Sequence, residues 1–150
     1  MTPARRVAIV AVARVWIGTP YVHQKSVRGQ AADCLGLVRG VWREVVGPEP
    51  EVAPPYSADW SESSGEERLW QAAERLFLPV AVDTGLSGDV VLFRMRRGSV
   101  AKHLGILAQD PFENITLIHA YSGRGVVETP LSSGWARRIV AQFQFPDRSD

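Results

Sequence analysis

Apolar residues recur at helical spacing in three places along the chain. Ile9, Val12 and Trp16 follow Thr2-Pro3, an N-cap with proline at the first helical position, and predict a helix from Pro3 to Ile17 that stops at Gly18-Thr19-Pro20. Leu37, Val38, Val41, Trp42 and Val45 form a second stripe, with Asp33 as N-cap and Gly47-Pro48 as terminator, and predict a helix from Cys34 to Val46. Ser63-Ser64-Gly65-Glu66 reads as a capping box ahead of Leu69, Trp70, Ala73 and Leu76, predicting a third helix to about Leu78. Between the second and third, Glu49 to Ser63 holds Pro50, Pro54 and Pro55 with neither period, which reads as a loop long enough to be functional or to be clamped by its neighbours.

After Pro79 the pattern turns to short β-prone runs: Asp89–Met95, Leu104–Ala108, Ile115–Tyr121, Val126–Pro130 and Arg138–Phe145. Turn residues separate them, so sequence-adjacent antiparallel pairing is the economical topology. Helices first and strands second make the class α+β, with helices packed on one face of an antiparallel sheet of about five to six strands. Residues 1–150 read as a single domain.

Composition narrows the function. Seventeen Lys and Arg against sixteen Asp and Glu leave a charge of +1, too little for a phosphate-tracking surface, and no nucleic-acid motif accompanies it. A membrane span is excluded because Arg14 and Pro20 interrupt the longest apolar stretch. Val7–Val12 behind Arg5-Arg6 is at the short limit for a signal core, and the expectation is a first helix without an export signal. A single cysteine, Cys34, rules out an intrachain disulfide and leaves a buried thiol, a metal ligand or a nucleophile.

At a helix N-terminus the Cys34 thiol meets free amides and the positive end of the helix dipole, which favour a thiolate. A lone cysteine beside apolar residues is also a common core residue. The three histidines are His23, His103 and His119. If the turn at residues 109–114 pairs Ala108 with Asn114, His103 falls directly opposite His119 on one face of the sheet. That would join nucleophile, base and orienting group. The same three side chains are acceptable zinc ligands, although no short-spaced pair supports a metal site.

Five motifs in order carry a resemblance. Gly18-Thr19-Pro20-Tyr21, Asp33-Cys34-Leu35-Gly36-Leu37, Gly88-Asp89-Val90-Val91-Leu92-Phe93, His103-Leu104-Gly105-Ile106 and Ile118-His119-Ala120 resemble the NlpC/P60 family of cell-wall cysteine peptidases over roughly residues 8–131. Tyr21-Val22-His23-Gln24 and Leu37 to Trp42 are most similar to the phage-tail and gene-transfer-agent type. The resemblance implies a papain-like fold and hydrolysis of peptide bonds in peptidoglycan stems, commonly the γ-D-glutamyl bond to a diamino acid. It makes Cys34 the nucleophile, His103 the base, His119 the orienting residue, and Tyr21 and Asp33 substrate contacts, with no cofactor. Leu35 departs from the serine usual after the cysteine. The implied partners are stem peptides and the hub or baseplate of a phage-like tail that carries the enzyme to the target wall. A tail-assembly protein retaining the fold and a thiol acyltransferase are the alternatives.

Other features read as ordinary surface or core. His23 reads as a structural or rim residue, and Arg94, Arg96, Arg97 and Lys102 as a solvated basic cluster near His103 that acidic stems or a partner could use. The tryptophans are mainly core, with Trp60 in the long loop assigned to an interface.

Overall fold

Thr2 caps the first helix as its sequence implies. In the computed structural model, which describes residues 1–51, 56 and 64–149, its hydroxyl accepts from the Arg5 amide at 3.1 Å at the start of α1 (Pro3–Val15). Asp33 does the same for α2 (Cys34–Val45), its Oδ1 accepting from Gly36 N at 2.7 Å. Between them, β1 (Ser26–Val27) and β2 (Ala31–Ala32) form a hairpin too short to carry a readable period.

α2 is held by two close approaches that only glycine allows. A Cβ on Gly40 would lie 2.0 Å from the Trp16 ring, and one on Gly36 would lie 1.8 Å from the Lys25 carbonyl oxygen. The first lets α1 and α2 cross with the Trp16 indole between them; the second seats the start of α2 against the chain ahead of β1.

The third helix, α3 (Arg68–Leu76), begins later than its capping box implies. Ser64 Oγ accepts from Glu66 N at 3.4 Å, and Glu67 stands at the N-cap without a side-chain cap bond. The Glu67 carboxylate instead accepts from Ala101 N at 2.9 Å, so a tertiary contact displaces the local one. Ser63, Trp60 and most of the long loop lie outside the described residues. Leu78, expected at the end of the helix, begins β3 (Leu78–Val80).

The main sheet contains β4 (Val90–Phe93), β5 (His103–Gln109), β6 (Ile115–Tyr121), β7 (Gly125–Pro130) and β8 (Ile139–Gln144), with the short α4 (Ser133–Ala136) before β8. Its order is β3-β8-β4-β5-β6-β7, every pair antiparallel. β4 to β7 form the expected meander. β8 departs from it, crossing away from β7 to insert between β3 and β4.

Packing explains the crossover. Phe143 and Phe145, at the end of β8 and just beyond it, are buried beside Phe77, whose ring lies 5.1 Å from that of Trp42 on α2. Gln142 on β8 donates from Nε2 to the buried Asp89 at 2.8 Å, and Arg6 on α1 donates to the other oxygen of that carboxylate at 2.6 Å. A buried carboxylate without these partners would be strongly destabilising, so Asp89 ties α1, β4 and β8 together.

Both sheet faces are covered. Leu92, Leu104, Ile106 and Ile118 face a core shared with Ile9, Ala13, Leu37 and Val41 of the long helices. Val91, Phe93, Leu107 and Leu117 form a smaller cluster on the other face, capped by Trp135 of α4. The long helices therefore lie on one face, as expected, and α4 closes the second.

Candidate active site

Cys34 is the first residue of α2 and is buried. Its thiol donates toward the Lys102 carbonyl oxygen at 3.8 Å, while the amides of Leu104, Leu35 and Cys34 itself are directed at the sulfur. The sulfur thus touches the main chain on both sides of His103. Burial pushes the thiol up to about 12, and the charge of Asp33 pushes the same way against the opposing pull of the three amides. This corrects the expectation of a thiolate favoured by the helix N-terminus: desolvation and a neighbouring carboxylate outweigh the helix end.

The two histidines meet, but not in the register the sequence suggests. Ile106 pairs with Ile118 and Ala108 with Thr116, two residues away from the Ala108–Asn114 pairing. A shift of two keeps every side chain on its face, so His103 and His119 remain on one side as diagonal neighbours. His103 Nε2 lies 2.8 Å from His119 Nδ1, and His119 Nε2 lies 3.1 Å from Thr129 Oγ1 on β7. Trp135 covers both rings, with centroids 5.4 Å from His103 and 5.1 Å from His119.

Burial lowers His103 to about 3, with His119 adding to the shift, and burial lowers His119 to about 4. Both rings are neutral at neutral pH. A hydrogen-bond relay in which His103 Nε2–H donates to His119 and His119 Nε2–H donates to Thr129 leaves the lone pair of His103 Nδ1 free to take a proton. Among the described contacts the sulfur makes no hydrogen bond to the imidazole.

Asp33 is almost wholly buried and spends both carboxylate oxygens within the protein. Oδ1 caps α2, while Oδ2 accepts from Gln24 N at 2.7 Å and from the Tyr56 hydroxyl. The ordinary cap reading of Asp33 therefore holds; any substrate contact competes with Tyr56. Tyr21, half-buried, lies close enough to the thiol and to Asp33 that their charges add to burial in pushing its phenol up to about 12. His23 joins the same group: its Nε2 is 2.8 Å from the Tyr56 carbonyl oxygen, its Nδ1 is 3.8 Å from Asp33, and its ring packs edge-on to Tyr56.

Sequence reasoning passed over three residues of this neighbourhood. Tyr56 stands in an aperiodic loop that offers no cue to its docking place. Thr129 becomes visible only once the β6–β7 register, Leu117 opposite Thr129, is known. Trp135 was read as core, and only α4 brings it over the imidazoles. Among the described residues, no three of His, Cys, Asp or Glu are grouped to hold a metal ion, and no helix is long and apolar enough to cross a membrane.

No protein-family model matches the chain. Over 102 residues it is 32% identical to the gamma-DL-glutamyl hydrolase of Bacillus subtilis (strain 168), a match covering 68% of this chain and 21% of that protein. Among solved structures it is similar to an NLP/P60-family protein, described as similar to lipoprotein, from Staphylococcus aureus subsp. aureus Mu50. That match has a TM-score of 0.61 at 17% identity and covers all of this chain and 43% of the other. An N-acetylmuramoyl-L-alanine amidase from Bacteroides uniformis aligns with a TM-score of 0.48 at 12% identity, over 90% of this chain and 96% of the other. The chain thus spans about a fifth of the Bacillus protein and less than half of the Staphylococcus one. With its long helices on one face of a six-stranded antiparallel sheet, the chain has the fold of the NLP/P60 family.

Proposed function

We propose that the chain is a thiol hydrolase of peptidoglycan stem peptides, acting on the γ-D-glutamyl bond to a diamino acid, with Cys34 as nucleophile, His103 as general base and His119 as the residue that orients it. The observation that carries this reading is the 2.8 Å contact between His103 Nε2 and His119 Nδ1, beside a thiol whose sulfur touches the backbone on either side of His103. The 32% identity to a gamma-DL-glutamyl hydrolase supports the γ-glutamyl part of that choice.

The neutral resting pair sets the order of events. As sulfur bonds to the carbonyl carbon, its proton passes to His103 Nδ1 and the carbonyl electrons move onto oxygen. Amides at the start of α2 and the neutral Tyr21 hydroxyl are the donors suited to that oxyanion. Collapse breaks the C–N bond, and His103 returns the proton to the leaving amine. Water, deprotonated by His103, then attacks the thioester to release the carboxylate and the Cys34 thiol.

Mass spectrometry of muropeptides released from purified sacculi tests the reading. Cleavage between D-glutamate and the diamino acid, lost in Cys34→Ala and His103→Ala, is the expected result. Cleavage retained in Cys34→Ala would overturn it, and products ligated to an added amine would point to acyl transfer instead.

The motifs around Tyr21 and Leu37 extend the proposal to carriage in a phage-like tail, bound to hub or baseplate proteins. Co-purification of the chain with tail particles tests this; its absence from purified particles would sink it.

A further inference from the structure

The basic residues noticed ahead of His103 belong to a larger feature. Arg94, Arg96 and Arg97 follow β4, and Arg137 and Arg138 precede β8, so the insertion of β8 beside β4 brings five arginines around one groove of about 480 Å³. The two segments are stitched together: Arg94 N donates to the Arg138 carbonyl at 2.9 Å, and Arg138 Nε donates to the Met95 carbonyl at 3.1 Å. Among the described residues, no acidic side chain lines the groove. Glu67, at the rim, pairs with Arg94 at 3.4 Å, and Arg97 and Arg137, both exposed, make no ion pair among the described residues. Like charges gathered this closely repel, so the arrangement favours an anionic occupant.

Its position points to the substrate. Phe93 pairs with His103 on one side and with Ile139 on the other, so β5, β4 and β8 present this end of the sheet together. Strands stand about 4.8 Å apart, which sets the β8 side of the groove about 10 Å from His103, or roughly three residues of extended peptide. We propose that this groove is a subsite for substrate carboxylates flanking the bond attacked by Cys34. The inference rests on the hydrolase reading. A γ-linked glutamate keeps its α-carboxylate free, and a diamino acid carries another carboxylate, so the occupant has the charge and the planar oxygen pairs that guanidinium groups bind in bidentate fashion.

Binding of a stem tetrapeptide and of its carboxamide counterpart to Cys34→Ala protein tests the groove without requiring turnover. The free-acid peptide is expected to bind about tenfold more tightly, the scale of one charge-assisted hydrogen bond. In Arg97→Glu/Arg137→Glu, and to a lesser degree in Arg97→Gln/Arg137→Gln, that preference should collapse toward one. Equal binding of acid and amide, or a preference that survives in both double variants, would overturn the proposal. Tighter binding of a polyphosphate of equal charge would also overturn it by assigning the groove to a phosphate ligand. If wild-type protein cleaves no muropeptide but the acid preference and its loss are seen, the hydrolase reading falls and the carboxylate groove stands.

Discussion

His103 and His119 share a 2.8 Å nitrogen–nitrogen contact without being cross-strand partners. Continuing the β5–β6 register places Gly105 across from His119, and a Cβ there would lie 2.4 Å from Leu117 Cδ1. The missing side chain at Gly105 leaves Leu117 its place beside the imidazole pair, and the diagonal geometry lets the rings meet edge to face.

The relay makes the two histidines unequal. On the proposed mechanism His103→Ala removes the proton acceptor, and kcat/KM on a γ-D-glutamyl-diamino acid substrate should fall by about 10² to 10⁴. His119→Gln keeps an amide oxygen able to accept from His103 Nε2–H and should retain activity to within about tenfold, the scale of one hydrogen bond. Equal losses in steady-state kinetics, especially with sensitivity to a chelator, would indicate metal ligands instead.

Thr129→Val removes the partner that holds His119 Nε2–H. If His103 is the base proposed above, this should lower kcat more than it raises KM, because its orientation then matters during proton transfer and Thr129 makes no described contact with the thiol. A change confined to KM would place Thr129 in substrate binding.

Stability should fall on both sides of neutrality. Unfolded imidazoles take up protons near pH 6.5, whereas folded His119 and His103 resist until about 4 and about 3. The unfolded state then binds more protons, so stability declines as pH drops below about 6.5. On the alkaline side the Cys34 thiol and Tyr21 phenol hold their protons to about 12, while the unfolded groups release theirs from about pH 8.5 and 10, and stability falls as pH rises through that window. Thermal melts against pH measure this; a midpoint that stays level from pH 6.5 to 4 contradicts the histidine environments.

Alkylation of Cys34 should be slow at neutral pH. With the thiol raised to about 12, the rate of iodoacetamide modification of folded protein should keep rising beyond the midpoint of a free thiol. Asp33→Asn removes the charge that adds to burial in raising the thiol and should shift the profile toward lower pH. A wild-type midpoint below about 8.5 would mean that the resting protein holds a thiolate–imidazolium pair.

Gly40→Ala tests the seat of α2. Its Cβ would lie 2.0 Å from the Trp16 ring, so the indole or the helix must move. Overpacking of this kind costs about 1–3 kcal/mol, which for a domain of this size lowers Tm by roughly 2–4 °C per kcal/mol. A variant as stable as wild type would show that α1 and α2 have slack at their crossing.

Local patterns were enough to place Cys34 at the start of α2. Asp33 caps the helix through its own side chain, the apolar stripe behind it has one period, and neither depends on the rest of the fold. The strands of the meander were readable for the same reason, as was the common face of His103 and His119, because strand alternation survives a register shift of two. Tertiary packing decided what local chemistry leaves open. β8 sits between β3 and β4 because Phe143, Phe145 and Gln142 have partners there that the β7 edge cannot supply. Glu67 leaves its helix for Ala101, and the helix starts later as a result. The charge state of the site belongs to the fold as well: sequence shows a thiol at a helix end, but only the packed structure buries it, sets Asp33 beside it and turns it toward a carbonyl. Helix caps and periodicity act over a few residues and are written locally, whereas desolvation and strand order depend on groups far apart in the chain that meet only when it folds.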